Sequence, residues 1–138
     1  MHKKVIYLCL LVPLLFVNVS SAESVGIEIK PKTEWTKDEV RELVDYYADK
    51  HKVSRATLHF VINCESGYNH KAFNGADRHR DSIGSLGVAQ FATSTFNSFA
   101  NKMGEDYDDP YNPEQALDVA SWAISKGYGR HWTCFRKL

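Results

Sequence analysis

The chain has 138 residues, 17 basic and 17 acidic side chains, and three cysteines, and 43% of it is hydrophobic. A zero formal charge offers no basic footprint for nucleic acid. The length fits one compact domain around one core, with no repeat or low-complexity tract to imply an array or a disordered tail.

Met1-His2-Lys3-Lys4 precedes an apolar run over residues 5–17 and then the small residues Ser20-Ser21-Ala22. This pattern reads as a secretory signal peptide over residues 1–22, cleaved after Ala22. The run is broken by Pro13 and falls short of the roughly 20 residues of a membrane span, so no stable span is expected after cleavage. Cys9 lies inside the run and not at its end, which argues against a lipid anchor. Export makes the destination secreted or periplasmic, leaves roughly 116 residues, and tips the formal charge to about −2 by removing Lys3 and Lys4. It also removes Cys9. Cys64 and Cys134 then read as one disulfide, closing a loop of about 70 residues worth roughly 4 kcal/mol in the chain-entropy model. Two free buried thiols, or one reactive thiol, are the alternative.

Residues 23–34 carry Gly26 and Pro31 without sustained periodicity and read as an extended lead-in to a domain over residues 35–138. Thr36-Lys37-Asp38-Glu39 is a capping box, and Val40, Leu43, Val44, Tyr47 and His51 follow at helical spacing to about residue 51. Ser54 is an N-cap candidate for a second helix, which runs through Leu58, Val61 and Ile62 to Glu65 and stops at Gly67. Periodicity then disappears over residues 68–85, where Asn69, Asn74, Gly75, Gly84 and the block Asp77-Arg78-His79-Arg80-Asp81 predict a long polar loop.

Gly87-Val88-Ala89-Gln90-Phe91 leads into a third helix capped by Thr93 or Ser94, with Phe96, Phe99, Ala100 and Met103 inward and Gly104 as its stop. Asp106-Tyr107-Asp108-Asp109-Pro110 is a turn cluster lacking the alternating ligands and central glycine of a calcium loop. Asn112-Pro113-Glu114-Gln115 starts a fourth helix with a cap, a proline at the first position and a glutamine to close the box. Its buried face is Ala116, Leu117, Ala120, Ala123 and Ile124, and Gly127 ends it. An aromatic tail over residues 128–134 follows. No run alternates convincingly at period two, so the domain is expected to be mainly α.

Leu58, Val61, Ile62 and Glu65 fall at i, i+3, i+4 and i+7, so a carboxylate continues the stripe that otherwise faces the core. Partial burial and the negative end of a helix dipole both disfavour its ionised form. A carboxyl held protonated near neutral pH is what a glycosidic oxygen needs as its proton donor. The bland alternative is an exposed glutamate at a helix end.

The order Cys64-Glu65-Ser66-Gly67-Tyr68-Asn69, Ser85-Leu86-Gly87-Val88-Ala89-Gln90-Phe91, Ser94-Thr95-Phe96 and Asn112-Pro113 resembles the lysozyme-like lytic transglycosylases over roughly residues 35–134. The cysteine before the glutamate, with its partner in an aromatic tail, is similar to the resuscitation-promoting factors. The resemblance implies a mainly α, lysozyme-like single domain with the long polar loop over an active-site cleft. It implies Glu65 as the catalytic acid, Ser66 supporting it by hydrogen bonding, Gln90 lining the glycan cleft, Gly87 admitting backbone close to a sugar, and Asn69 bracing the loop or touching substrate. Tyr128 is a further candidate for sugar contact.

The activity so implied is cleavage of the bond between N-acetylmuramic acid and N-acetylglucosamine in peptidoglycan strands, closing a 1,6-anhydro ring. It needs no cofactor or metal, and the protein is expected to be a monomer. A hydrolytic muramidase would need a positioned water or a second carboxylate, which Asp77 or Asp81 could supply. A non-catalytic wall-binding module would instead stack Tyr68, Phe73, Tyr128 and Trp132 on sugars. A zinc protein using His51, His59, His70, His79 or His131 has no supporting ligand spacing.

Overall fold

The structure, a computed structural model, describes residues 32–77 and 84–138. The signal-peptide reading over residues 1–22, most of the lead-in, and the Arg78-His79-Arg80-Asp81 part of the charged block lie outside the described residues. Four helices carry the fold: α1 (Lys37–His51), α2 (Arg55–Ser66), α3 (Thr93–Met103) and α4 (Pro113–Ser125). Between α2 and α3 run two short antiparallel strands, β1 (Phe73–Asn74) and β2 (Ser85–Leu86), paired Phe73 to Leu86 and Asn74 to Ser85.

The helix signals are realised locally. Thr36 and Glu39 form the reciprocal capping box of α1, and Ser54 caps α2 through the Thr57 N–H. Gly67 ends α2 in the left-handed conformation (φ 60°), its N–H bonded to the Asn63 carbonyl at 2.9 Å. Asn112 caps α4 with Pro113 in its first turn.

Three details differ from the sequence reading. Thr93 and Ser94 lie inside α3, whose N-cap is Ala92 with no side-chain bond. Gln115 does not close a box: its Oε1 accepts from the N–H groups of Asp108 and Asp109 and so holds the preceding turn. The stretch read as one polar loop contains the β1–β2 pair, because two-residue strands are too short to produce a period-two signal.

α4 is the central element. Ala116, Leu117, Val119, Ala120 and Ala123 are buried, packing with Val40, Val44 and Ala48 of α1, Leu58, Val61 and Ile62 of α2, and Phe96 and Phe99 of α3. Each buried Leu, Ile, Val or Phe contributes about 1.5–3 kcal/mol. Trp132 of the tail joins this core, and its indole N–H donates to the Ala89 carbonyl at 2.8 Å. Among the described residues no helix is long and apolar enough to cross a membrane.

Candidate active site

The last turn of α2 carries Glu65 out of the core as the apolar stripe of Leu58, Val61 and Ile62 ends, leaving it half-buried. Two 3-10 turns, Tyr128–His131 and Phe135–Lys137, bring the C-terminal tail back across this helix end. Cys134 is joined to Cys64 by a disulfide, and its backbone N–H donates to Glu65 Oε1 at 3.1 Å. The bridge thus fixes the chain segment that supplies the carboxylate's hydrogen bond.

Glu65 lies in the wall of a cleft of about 250 Å³, shared with Asp77, Ser85, Gln90, Thr95 and Thr133 among others. Burial is the main force on its carboxyl and raises the pKa above the ordinary glutamate value. The Cys134 N–H opposes that rise, Asp77 adds to it as a like charge, and Lys137 opposes it. Asp77 is positioned in turn by the Ser85 hydroxyl, which donates to its Oδ2 at 2.7 Å from the buried end of β2. A half-buried acid beside a second carboxylate, in an open polar cleft, holds its proton to higher pH than an exposed glutamate and can pass it to a group in the cleft.

Gln90 reaches the same cleft through an uncommon backbone conformation, φ 51° at a non-glycine residue. Its Nε2 is tied to the carbonyls of Gly87 at 2.9 Å and Ala72 at 3.3 Å. The other expected site residues sit outside the cleft lining. The Ser66 hydroxyl donates to the Ile62 carbonyl at 3.2 Å, within its own helix, and not to Glu65. Asn69 accepts from the Lys71 N–H in a turn. Gly87 does permit a close backbone approach, but the partner is Pro110: a Cβ there would stand 2.0 Å from its carbonyl oxygen. Tyr128 stacks with Trp122 on a neighbouring groove, which meets the cleft at Thr95 and His131.

These placements leave one titratable side chain of α2 facing an open cleft, behind a tail fastened by a disulfide, and residues 42–134 match the family described as the transglycosylase SLT domain. The chain belongs to that family. It is therefore a lysozyme-like protein of lytic transglycosylase type, acting on peptidoglycan. No curated protein matches the chain. Of the aromatic residues considered as sugar platforms, Tyr68 and Trp132 are buried, whereas Phe73 and Tyr128 are exposed. Among the described residues no group of three or more His, Cys, Asp or Glu is placed to hold a metal.

Sequence reasoning did not place Thr95, His131 or Thr133 in the cleft that they line. It also missed Asp118, fully buried on α4 and bonded to Lys50, His51 and Tyr107. A single charge inside Ala116-Leu117-Asp118-Val119-Ala120 is the signal that could have found it.

Proposed function

We propose that this family member is exported by the signal peptide of residues 1–22 and cleaves the bond between N-acetylmuramic acid and N-acetylglucosamine with Glu65 as acid and then base. The carboxyl group gives its proton to the glycosidic oxygen as the C1–O bond breaks. The resulting carboxylate takes the proton of the muramyl 6-hydroxyl, whose oxygen bonds to C1 and closes the 1,6-anhydro ring. No water is consumed. The observation that carries this reading is the place of Glu65, half-buried in the wall of an open cleft where burial pushes its pKa up, with one oxygen held by the Cys134 N–H and the other left for the proton.

Gln90, with its amide nitrogen anchored on backbone, contacts the glycan, and Tyr128 flanks its path. Gly87 and Asn69 act by shaping the backbone around the cleft, and Ser66 by finishing the helix that carries Glu65. A second reading has specific support in Asp77, which shares the cleft and is held by Ser85. As a base it would activate water and make the enzyme a hydrolytic muramidase.

Mass spectrometry of the soluble products released from purified peptidoglycan decides between the two. Products lighter by one water than their hydrolysed counterparts, absent with Glu65→Gln, are expected. Hydrated reducing ends would replace the transglycosylase mechanism with the muramidase one, and full release by Glu65→Gln would remove Glu65 from either.

A further inference from the structure

A second groove, of about 460 Å³, shares no lining residue with the cleft of Glu65. Its walls come from Trp35 just before α1, the turn after α2 at His70, and the turn before α4 at Asp109, Tyr111 and Asn112. The two lysines on it are already paired, Lys32 with Glu39 and Lys71 with Glu34, so among the described residues it offers no unpaired cation to an anionic ligand.

The remaining groups are complementary to something neutral. His70 is buried, with 7% of its surface exposed, and its Nε2 accepts the Trp35 N–H at 3.3 Å. With Nε2 accepting, Nδ1 is the ring's donor, and it has no protein partner among the described residues. Asn112 uses its Oδ1 on the Glu114 N–H, which leaves both amide N–H donors. Asp109 uses Oδ1 on the Tyr111 N–H, which leaves Oδ2 as an acceptor. The Tyr111 ring is 36% exposed and offers a flat apolar face with a hydroxyl at its edge.

We propose that this groove is a second wall-binding site, taking an N-acetylated amino sugar of the glycan strand away from the bond being cut. The acetamido carbonyl accepts from His70 or Asn112, its N–H donates to Asp109, and the sugar face lies on Tyr111. Two sites on one polymer raise the local concentration of strand at the cleft without any new contact to the reacting bond. The choice of ligand rests on the peptidoglycan reading above, and the test involves no turnover.

The experiment is an amide chemical-shift titration of the isotopically labelled protein with chitotriose, a neutral trimer of N-acetylglucosamine. Amides of Trp35, Lys71 and Tyr111 are expected to move as one set, with a Kd distinct from the set at Thr133 and Cys134 beside the cleft. Tyr111→Ala is expected to weaken the groove set by about fivefold or more, with Tyr111→Phe retaining it and the cleft set unmoved. Movement confined to the cleft set, or groove shifts caused by an isolated stem tripeptide and not by chitotriose, would overturn the proposal. A protein that binds chitotriose in the groove but releases no anhydro product would refute the mechanism and leave this site standing.

Discussion

Two inward-facing carboxylates on helices of this domain have opposite fates. Asp118 sits in the middle of α4 with none of its surface exposed, yet its pKa lies below the ordinary aspartate value. Burial alone would push it up, but hydrogen bonds from His51, Lys50 at 2.8 Å and the Tyr107 hydroxyl at 2.8 Å outweigh that. Glu65, at the end of α2, is less buried but receives a single backbone N–H and faces the like charge of Asp77, and its pKa is raised. The depth of a carboxylate therefore does not decide its protonation here. The donors set against its desolvation do. Asp118 ties α1, α4 and the turn at Tyr107 together as a fixed anion, whereas Glu65 can exchange a proton with the cleft.

The contrast is broken most sharply by making each acid an amide. Glu65→Gln is expected to lower turnover of peptidoglycan by about 10³-fold or more, measured as released product per unit time. Its melting temperature at pH 8 should equal or slightly exceed that of the native protein. The sign follows from the raised pKa: the stability Glu65 contributes is present below the unfolded carboxyl pKa and is lost as pH rises through the folded value. Asp118→Asn should do the reverse, costing about 2–3 kcal/mol in denaturant unfolding while the folded fraction keeps its turnover. Because the Asp118 pKa is depressed, its contribution is full above the unfolded value near ~3.9 and is lost as pH falls through the lower folded value.

Replacing both cysteines by serine frees the tail that bonds Glu65. With the bridged residues 70 apart, about 4 kcal/mol is at stake, so the melting temperature should fall by about 10 °C or more. An unchanged melting temperature would mean that the core contacts of Trp132 hold the tail without the bridge. The smallest effects are electrostatic. Asp77→Asn removes a charge that raises the Glu65 pKa, so the alkaline limb of the pH–activity curve should move to lower pH. Lys137→Ala removes one that lowers it, so that limb should move to higher pH. Shifts in the same direction would exclude Glu65 as the group behind the limb.

All four helices and three of their N-caps were legible because their signals are local: the Thr36–Glu39 box, Ser54, the Asn112-Pro113 start, and apolar residues at helical spacing. Glu65 was legible for the same reason, as the polar end of an apolar stripe. Asp77 and Gln90 were named with it, but the far wall of the cleft was not legible, since Thr95 and Thr133 meet Glu65 only after the tail folds back over α2. Gly87 shows the limit from the other side. Its need for close approach was readable, but what approaches, the backbone at Pro110, is a tertiary fact. The β1–β2 pair escaped for want of length, and the Asp118 network because its partners lie 11, 67 and 68 residues away.

The most direct test of the account is a carbon-detected NMR titration of the side-chain carboxyls of Glu65 and Asp118 in the folded protein. Glu65 is predicted to titrate above the usual glutamate value of about 4.3, at the pH where the alkaline limb of activity falls, with Asp118 below the usual aspartate range. A Glu65 carboxyl that titrates at or below its ordinary value would contradict its assignment as the proton donor.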